Sequence, residues 1–512
     1  MRIIKTHRYW RLFEMIPGLI SWTALALPVI FSIVEPKFVA YFIISYTLLW
    51  LFRSVLLSIN LSKSFSLTKQ ALSINWQKKL EENDWENLYG TSKKNNLGEG
   101  LYQAILFVTY KESLEVVEAS IKSYVSSAFP SKKIIFVFAG EERDRENFLN
   151  MSLLLKKKYE HLFARFLVTL HPGGLPGEIM GKSANSRYAA QKLKEYVDQQ
   201  GITYKNVIVS NFDADTVVHP QYFSELSYKY LHTKNNLKKT YQPTHMYHNN
   251  IWDVPSMMRL VSLSCTYLRM AESMNKRKFK SFSSRSIGLQ TLIDIDYWDP
   301  GIIPEDSRQY WTAFFLSDGD HELVPIYTPV YMDAVLDKDY FSTFKSQYTQ
   351  LRRWAWGVCD FAFVMANSLN NTKIPRWKKI IDILTLLENH FCWATAPILI
   401  TFSGWLPGLL NSQFRTTVLA YTTPSLTSKV LTLAGIGILT CIIVSFSLIP
   451  PRPHGKKWVQ TVILMAQWTL TPVVSIFLSA IPALDAQTRL LFGRYLEYQV
   501  TPKSRREKFK NR

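Results

Sequence analysis

Two aspartates follow a short apolar run near the middle of the chain. The run NVIVSNF (206–212) is typical of a buried strand, and Asp213 and Asp215 lie just past it. In extended backbone, side chains two residues apart lie on one face. Two carboxylates so placed can hold a hard divalent cation, with diphosphate oxygens as its other ligands. The alternative interpretation is a solvated turn in which Asp215 caps the next helix.

A glycine-rich loop precedes this run. The stretch GGLPGEIMGKSANSR (173–187) contains a Gly-Lys-Ser sequence with Lys182 at its centre. It is not a P-loop, because that motif requires glycine where Pro176 stands. A lysine that leads into a helix still suits an anionic ligand, through its charge and the exposed N–H groups of the helix. A flexible connection that ends in an ordinary helix cap is the alternative.

Two adjacent acids follow Pro304 in the stretch DYWDPGIIPEDSRQYW (296–311). Glu305 and Asp306 begin a helical pattern, and acidic residues are favoured in a first helical turn for electrostatic reasons alone. Their occurrence in one region with the aspartate pair and the basic loop favours a shared catalytic site.

The stretch SQYTQLRRWAWG (346–357) sets two arginines against two tryptophans. On a helix, Gln350, Arg353 and Trp354 share one face, whereas Arg352 points elsewhere. That face offers a guanidinium suited to diphosphate and an indole on which a sugar ring can stack. A membrane-surface anchor and an ordinary aromatic packing helix are the alternatives. We expect Arg352 and Trp356 to meet the membrane surface or to pack locally.

The elements that must position these residues follow from the hydrophobic pattern. Short β-rich runs at 102–110, 133–139, 163–170 and 206–212 alternate with helical patterns, which predicts an α/β fold with a mostly parallel sheet. Such folds bind ligands beyond the carboxyl ends of their strands. The candidate residues are therefore expected at one edge of the sheet.

Composition narrows the classes of protein. The 512 residues allow more than one domain, and the net charge of +20 favours anionic partners. The four cysteines form no CxxC pair, so neither a zinc site nor a disulfide framework is indicated, and a reducing compartment is the simplest interpretation. No nucleic-acid-binding motif is present, so no nucleic-acid partner is expected.

Apolar stretches flank the predicted α/β region. Those at 12–34, 38–58, 380–406 and 430–450 are long enough to cross about 30 Å of hydrocarbon. A fifth, at 459–484, contains Pro472 and has basic residues on both sides, which predicts a broken, re-entrant or interfacial segment. The charge distribution predicts an integral, multi-pass protein of the plasma (inner) membrane with residues 59–345 on the cytoplasmic side.

The predicted organisation has six parts. They are an N-terminal transmembrane hairpin (1–58), a linker (59–100), a cytoplasmic α/β domain (101–345), interfacial helices (346–379), a C-terminal transmembrane region (380–484) and a basic cytoplasmic tail (485–512).

The ordered motifs resemble those of a known family. FDAD (212–215), PED (304–306) and QLRRW (350–354) resemble the D, DxD, ED, QxxRW pattern of membrane-embedded family 2 glycosyltransferases, which include cellulose, chitin and hyaluronan synthases. GKSANSR (181–187) and YQVTPK (498–503) are similar to two further segments of that family. The resemblance implies a GT-A domain inserted between N-terminal and C-terminal transmembrane helices.

The resemblance also implies roles for single residues. Asp306 would be the general base, supported by Glu305, in an inverting transfer from a nucleotide-sugar donor, and Trp354 would bind the acceptor. Asp213 and Asp215 would hold Mg²⁺ or Mn²⁺. The residues implied in donor binding are Thr109, Glu112, Glu141, Lys182, Asp213, Asp215, Gln350 and Arg353.

The donor base and the acceptor stay open. Many relatives carry an acidic pair after their second strand, whereas this chain has FVFAGEERD (136–144), so Glu141 or Glu142 would substitute, or Thr109 and backbone groups would contact the base. A UDP-sugar is the expected donor. The alternatives are processive polysaccharide synthesis, single transfer to a lipid-linked acceptor, and a non-catalytic membrane scaffold or transporter.

Overall fold

The computed structural model describes residues 3, 6–82, 100–452 and 457–497. The predicted motif at 498–503, the rest of the basic tail and most of the polar stretch 81–100 lie outside these described residues.

Two long helices open the described chain, α1 (Trp10–Val34) and α2 (Pro36–Ser73), with a single residue between them. Proline is well suited to the first position of α2, because its missing N–H would have no partner there. Residues 59–73, which the sequence pattern assigned to a linker, continue α2. The cause is burial, since Leu61 is fully buried in an apolar cluster with Leu260 and Leu263.

A short helix, α3 (Trp76–Glu81), follows within the same predicted linker. Its start is capped by Asn75, whose side-chain oxygen accepts a hydrogen bond from the backbone N–H of Lys78 at 3.0 Å. Trp76 is buried against the ring of Tyr228, at a centroid distance of 5.5 Å. The described part of the predicted linker is therefore mostly helical and packed.

The middle of the chain forms one eight-stranded mixed sheet. In chain order its strands are β1 (Tyr102–Val108), β2 (Ile134–Glu141), β3 (Arg165–His171), β4 (Val207–Asp213), β5 (Val217–Val218), β6 (Lys239–Met246), β7 (Arg285–Gly288) and β8 (Glu322–Tyr331). Their order across the sheet is β3-β2-β1-β4-β7-β6-β8-β5. The first four strands in this order are parallel, as predicted, and β7 is antiparallel to both of its neighbours.

Helices cover both faces of the sheet. They are α4 (Leu114–Val125), α5 (Arg145–Tyr159), α6 (Lys182–Gln199), α7 (Tyr222–His232), α8 (Ser256–Glu272), α9 (Leu289–Asp294) and α10 (Glu305–Leu316). Along β1, Ile105 and Phe107 join the apolar cluster of α4 and α5, while Ala104 and Leu106 join that of α6. This alternation buries both faces of the strand, as expected for a parallel sheet between helices.

Helices make up the rest of the described chain. They are α11 (Tyr340–Ala355), α12 (Asp360–Asn370), α13 (Arg376–Phe402), α14 (Leu406–Leu410), α15 (Ser412–Arg415), α16 (Val418–Ala434), α17 (Ile436–Leu448), α18 (Lys457–Ala466), α19 (Thr471–Ser475) and α20 (Ile481–Leu491). Between α18 and α20 the path is irregular, with a 3₁₀ turn at Gln467–Leu470, Pro472 in α19 and a π-helical turn at Ile476–Ala480.

Five helical segments within the described residues are long and apolar enough to cross a membrane. They are Trp10–Val34, Pro36–Ser73, Arg376–Phe402, Val418–Leu448 and Thr461–Leu491. Four overlap the predicted spans, and the fifth overlaps the stretch predicted to be broken around Pro472. The fourth begins at Val418, earlier than predicted. The prediction missed its first part because Pro424 and several hydroxyl side chains interrupt the apolar pattern of the sequence there.

We expect Gly140→Ala to lower the free energy of unfolding by about 1–3 kcal/mol. A Cβ atom on Gly140 would lie 2.3 Å from the ring of Phe148, which is buried and stacked on Phe138. Thermal unfolding checks this. Gly408→Ala is the matched control, since a Cβ atom there meets nothing within 4 Å. Equal melting temperatures for the two variants would contradict the prediction.

Candidate functional site

The carboxyl ends of β1, β2 and β4 meet at one edge of the sheet. The register pairs Val108 with Ala139 on one side and with Asp213 on the other. Thr109 therefore follows β1 beside Asp213, and Glu141 ends β2 at the same edge. The sheet brings these predicted residues together, as expected for the ligand-binding edge of a parallel sheet.

The loop after β1 is held by Glu112. Its carboxylate accepts hydrogen bonds from the Thr109 hydroxyl at 2.7 Å and from the Tyr110 N–H at 2.5 Å. Lys111, between Tyr110 and Glu112, has a backbone φ angle of 61°, which is uncommon for a residue other than glycine. Two of the predicted donor-binding residues thus fix one tight turn.

The loop after β2 contacts this turn. The Glu141 carboxylate accepts a hydrogen bond from Arg143 Nε at 2.6 Å, and the guanidinium of Arg143 lies 3.7 Å from the centroid of the Tyr110 ring. The neighbouring Glu142 accepts a hydrogen bond from the backbone N–H of Gly173 at 2.9 Å. Sequence reasoning missed Tyr110 and Arg143. Their signal was an aromatic residue and a cation placed just past neighbouring parallel strands.

Lys182 joins three elements. It is the first residue of α6, and its ammonium donates to Asp213 Oδ1 at 2.5 Å and lies 3.7 Å from Glu305 Oε1. The side chains of Lys182 and Glu305 are each only 10% exposed, so this charge cluster is largely shielded from water. The glycine-rich loop, the strand β4 and the acidic start of α10 therefore converge on one cation.

The second oxygen of Asp213 is also engaged. The Ser283 hydroxyl donates to Asp213 Oδ2 at 2.5 Å. The backbone oxygen of Ser283 lies 2.5 Å from His245 Nε2, and burial lowers the pKa of this imidazole to about 4. The ring is thus neutral near pH 7 and donates from Nε2 to the Ser283 carbonyl, which holds the Ser283 loop against Asp213.

Asp215 has a different environment. It is fully buried, and its Oδ2 accepts a hydrogen bond from the backbone N–H of Asp333 at 2.9 Å. Its own backbone oxygen accepts from the Asn249 side chain at 2.9 Å. Asp215 thus ties the turn after β4 to the end of β8.

The two acids at the start of α10 have different partners. Glu305 approaches Lys182, whereas the Asp306 carboxylate pairs with the guanidinium of Arg285 on β7. Arg285 also donates to Gln309 Oε1 from Nε at 2.9 Å and from Nη2 at 2.6 Å. Burial lowers the pKa of Arg285 to about 10, with Glu305 and Asp213 opposing the shift, so the guanidinium is charged at neutral pH.

The QLRRW sequence occupies the end of α11. The Trp354 ring lies edge-to-face with the Phe282 ring at 5.4 Å between centroids, and Phe282 precedes the serine that binds Asp213. Gln350 accepts a hydrogen bond from the Gln347 amide at 3.0 Å, and Arg353 is partly buried. The predicted acceptor-binding tryptophan is thus connected to Asp213 through two neighbouring residues.

The other two residues of this stretch pack locally. Arg352 Nη1 donates to Asp485 Oδ2 in α20 at 3.0 Å. Trp356 is buried and lies edge-to-face with Tyr495 at 6.3 Å. Of the two expectations for these residues, membrane surface or local packing, the structure shows local packing.

The residues at this edge fit a divalent cation only in part. Asp213 has a side chain that is 23% exposed and supplies hard oxygen atoms, which suits a cation completed by diphosphate oxygens. Asp215 is fully buried. Among the described residues there is no group of three or more His, Cys, Asp or Glu that could hold a metal ion.

Stability should fall as the pH drops from about 6.5 towards 4. The His245 pKa is lowered in the folded state, so the unfolded chain takes up the proton first and stability is lost across that window. At pH 5 the loss from this residue is about 1–2 kcal/mol. We expect His245→Gln to flatten the dependence of the melting temperature between pH 7 and 5. An unchanged slope in the variant would contradict this prediction.

Comparisons with known proteins give limited similarity. No family model matches the chain, and no curated protein matches it in sequence. Among solved structures, a mannosyltransferase from Pyrobaculum calidifontis in complex with GDP-Man and Mn²⁺ matches with a TM-score of 0.38 at 12% identity, over 82% of this chain and 99% of that chain.

Two structures of TarS from S. aureus also match. The first has a TM-score of 0.32 at 11% identity, over 68% of this chain and 55% of TarS. Residues 1–349 of TarS in complex with UDP give 0.33 at 11% identity, over 68% of this chain and 91% of that chain. Scores below 0.5 do not establish a shared fold, so the function has to be argued from the contacts of the chain itself.

Proposed function

We propose that this chain is an inverting glycosyltransferase that moves a sugar from a nucleoside diphosphate donor to a saccharide or lipid-linked acceptor at the cytoplasmic face of a membrane. The observation that carries the proposal is the Lys182 cluster. One ammonium joins Asp213 at 2.5 Å and approaches Glu305 at 3.7 Å, at the carboxyl edge of a parallel sheet. Cations and acids placed there suit a diphosphate leaving group and a general base.

The donor would lie along the ends of β1, β2 and β4. In this proposal Thr109, Glu112 and Glu141 shape the base and ribose subsite, since they fix the two loops that contact each other there. Lys182 faces the diphosphate, and Gln350 and Arg353 approach from α11. The expected base is uridine, on the family resemblance of the motifs.

Three charged side chains, Lys182, Asp213 and Glu305, lie together where the proposal places the donor diphosphate. Asp213 is the residue that would hold Mg²⁺ or Mn²⁺, and such a cation supplies positive charge against the leaving diphosphate when bound. Asp215 supports the turn from its buried position, where it accepts the Asp333 N–H. Asp213 and Glu305 hold the Lys182 ammonium beside the proposed cation site. From that position it would offset the negative charge of the diphosphate.

Asp306 would act as the general base. Its carboxylate takes the proton of an acceptor hydroxyl, the hydroxyl oxygen forms a bond to the anomeric carbon, and the bond from that carbon to the diphosphate oxygen breaks. The bonding electron pair leaves with the diphosphate. Attack from the opposite face inverts the configuration.

Trp354 offers a flat ring against which the acceptor sugar can stack, beside Phe282.

The test is turnover by the full chain in lipid nanodiscs. We expect one of a panel of nucleotide sugars to release nucleoside diphosphate and to label a saccharide or lipid product. Chelation of divalent cations should lower this turnover. The length of the product distinguishes processive synthesis from single transfer. No turnover with any donor, across added lipid and saccharide acceptors, would favour the scaffold or transporter alternative.

A further inference from the structure

Arg285 is a buried cation that the motif pattern does not explain. It stands in the sequence FSSRSIG (282–288), between Ser284 and Ser286, as the first residue of β7. Its side chain is 1% exposed. A buried guanidinium requires compensation for lost hydration, so its partners indicate what it does.

Among the described residues, the ion-pair and hydrogen-bond partners of the Arg285 side chain lie at the start of α10. The guanidinium pairs with the Asp306 carboxylate, donates twice to Gln309 Oε1 at 2.9 and 2.6 Å, and lies 3.4 Å from the Glu305 backbone oxygen. The planar fork of arginine can serve a carboxylate, an amide and a carbonyl at fixed angles, which a lysine cannot. Arg285 thus fixes the first turn of α10 in both position and rotation.

The strand that carries Arg285 is in register with the strand that carries Asp213. Arg285 pairs with Asn211 in the antiparallel β4–β7 ladder, two residues before Asp213. The acid pair is therefore tied to β4 twice, through Arg285 on one side and through Lys182 on the other. These two ties hold Glu305 towards Lys182 and Asp306 towards Arg285.

We infer that Arg285 is a positioning residue for the transfer step, which holds the Asp306 carboxylate in place to accept the proton of the acceptor hydroxyl. The inference rests on the proposed function. The Arg285 side chain is 1% exposed, so in this proposal it acts through Asp306 and not on a substrate directly.

A second buried arginine, Arg308 on α10 itself, provides the control. Arg308 pairs with Asp360 at 2.7 Å and lies 4.3 Å from the Phe363 ring, so it anchors α10 to α12. Loss of Arg308 removes a buried ion pair of comparable burial without touching Asp306. The comparison of Arg285→Gln with Arg308→Gln therefore separates positioning of the base from general support of the helix.

The experiment measures turnover of the full chain in nanodiscs with the donor it accepts. For Arg285→Gln we expect kcat to fall at least 100-fold while the donor KM changes less than threefold. Arg285→Lys should recover part of this loss. In an Asp306→Asn background, Arg285→Gln should cost less than threefold more. Arg308→Gln should lower the melting temperature but keep the kcat of the folded protein within threefold of wild type.

The outcomes that would overturn the inference are distinct from failure of the proposed function. Equal kcat losses for the two arginine variants, or additive losses with Asp306→Asn, would make Arg285 merely structural. If Arg285→Gln does not fold, Gln309→Leu tests the same point, because it removes the amide anchor and should lower kcat about tenfold without changing donor KM. A wild-type chain inert with every donor would instead refute the transferase proposal.

Discussion

Asp306→Asn is expected to reduce sugar transfer by about 10²–10⁴-fold and to leave nucleoside diphosphate affinity within threefold of wild type. Asparagine keeps the shape of the side chain but cannot take the proton of the acceptor hydroxyl. Turnover with saturating donor and calorimetric titration with nucleoside diphosphate measure the two quantities separately. We expect the large effect in kcat because Asp306 pairs with Arg285, whereas Lys182 approaches the neighbouring acid, Glu305.

This substitution needs a check on folding. The variant leaves the buried Arg285 guanidinium with a neutral partner, so its melting temperature should fall. Asp294→Asn is a suitable control, because Asp294 is an exposed acid at the end of α9 and should tolerate the change. Retained transfer in a folded Asp306→Asn protein would exclude Asp306 as the base.

Lys182→Met should have the second large effect, on the donor side. We expect donor affinity to fall about 10- to 100-fold, because the ammonium that faces the diphosphate is lost while Asp213 and Glu305 keep their negative charges. The same loss leaves the Asp213 and Glu305 carboxylates without their shared cation, which should destabilise the fold by about 1–3 kcal/mol. Calorimetric titration and thermal unfolding measure the two effects.

Lys192→Met is the matched control for Lys182→Met. Lys192 lies on the same helix, is more exposed and forms an ion pair with nearby Glu195 at 2.9 Å. Its loss should leave donor affinity unchanged. If Lys182→Met binds nucleoside diphosphate as tightly as Lys192→Met does, Lys182 has no direct role towards the diphosphate.

The sequence predicted those parts of the site whose positions follow from the succession of strands and helices along the chain. Thr109 and Asp213 follow strands whose apolar runs are unambiguous, and parallel pairing brings their ends to one edge. The Lys182 contact with Asp213 follows from the same rule, since α6 begins at that edge. Long apolar runs in the sequence also located the five helical segments that could cross a membrane, although the run around Pro472 was expected to be broken.

The rest depends on contacts between distant segments. Whether Asp306 meets Arg285 or Lys182 is decided by the pairing of β7 with β4 and by the rotation of α10, which no local pattern specifies. Asp215 is buried because the end of β8 reaches it, 118 residues further along the chain. The continuation of α2 to Ser73 likewise depends on packing against α8, since its second half is polar enough to suggest a linker.

The length of α2 has a consequence for the kind of acceptor. A helix of 38 residues rises about 57 Å, nearly twice the thickness of a hydrocarbon layer. If its first half crosses the membrane, its second half would extend beyond the lipid, where Leu61 packs against α8. In the proposed membrane setting, this packing would hold the sheet edge at a fixed distance from the membrane surface. Only an acceptor whose growing end extends over that distance could then react.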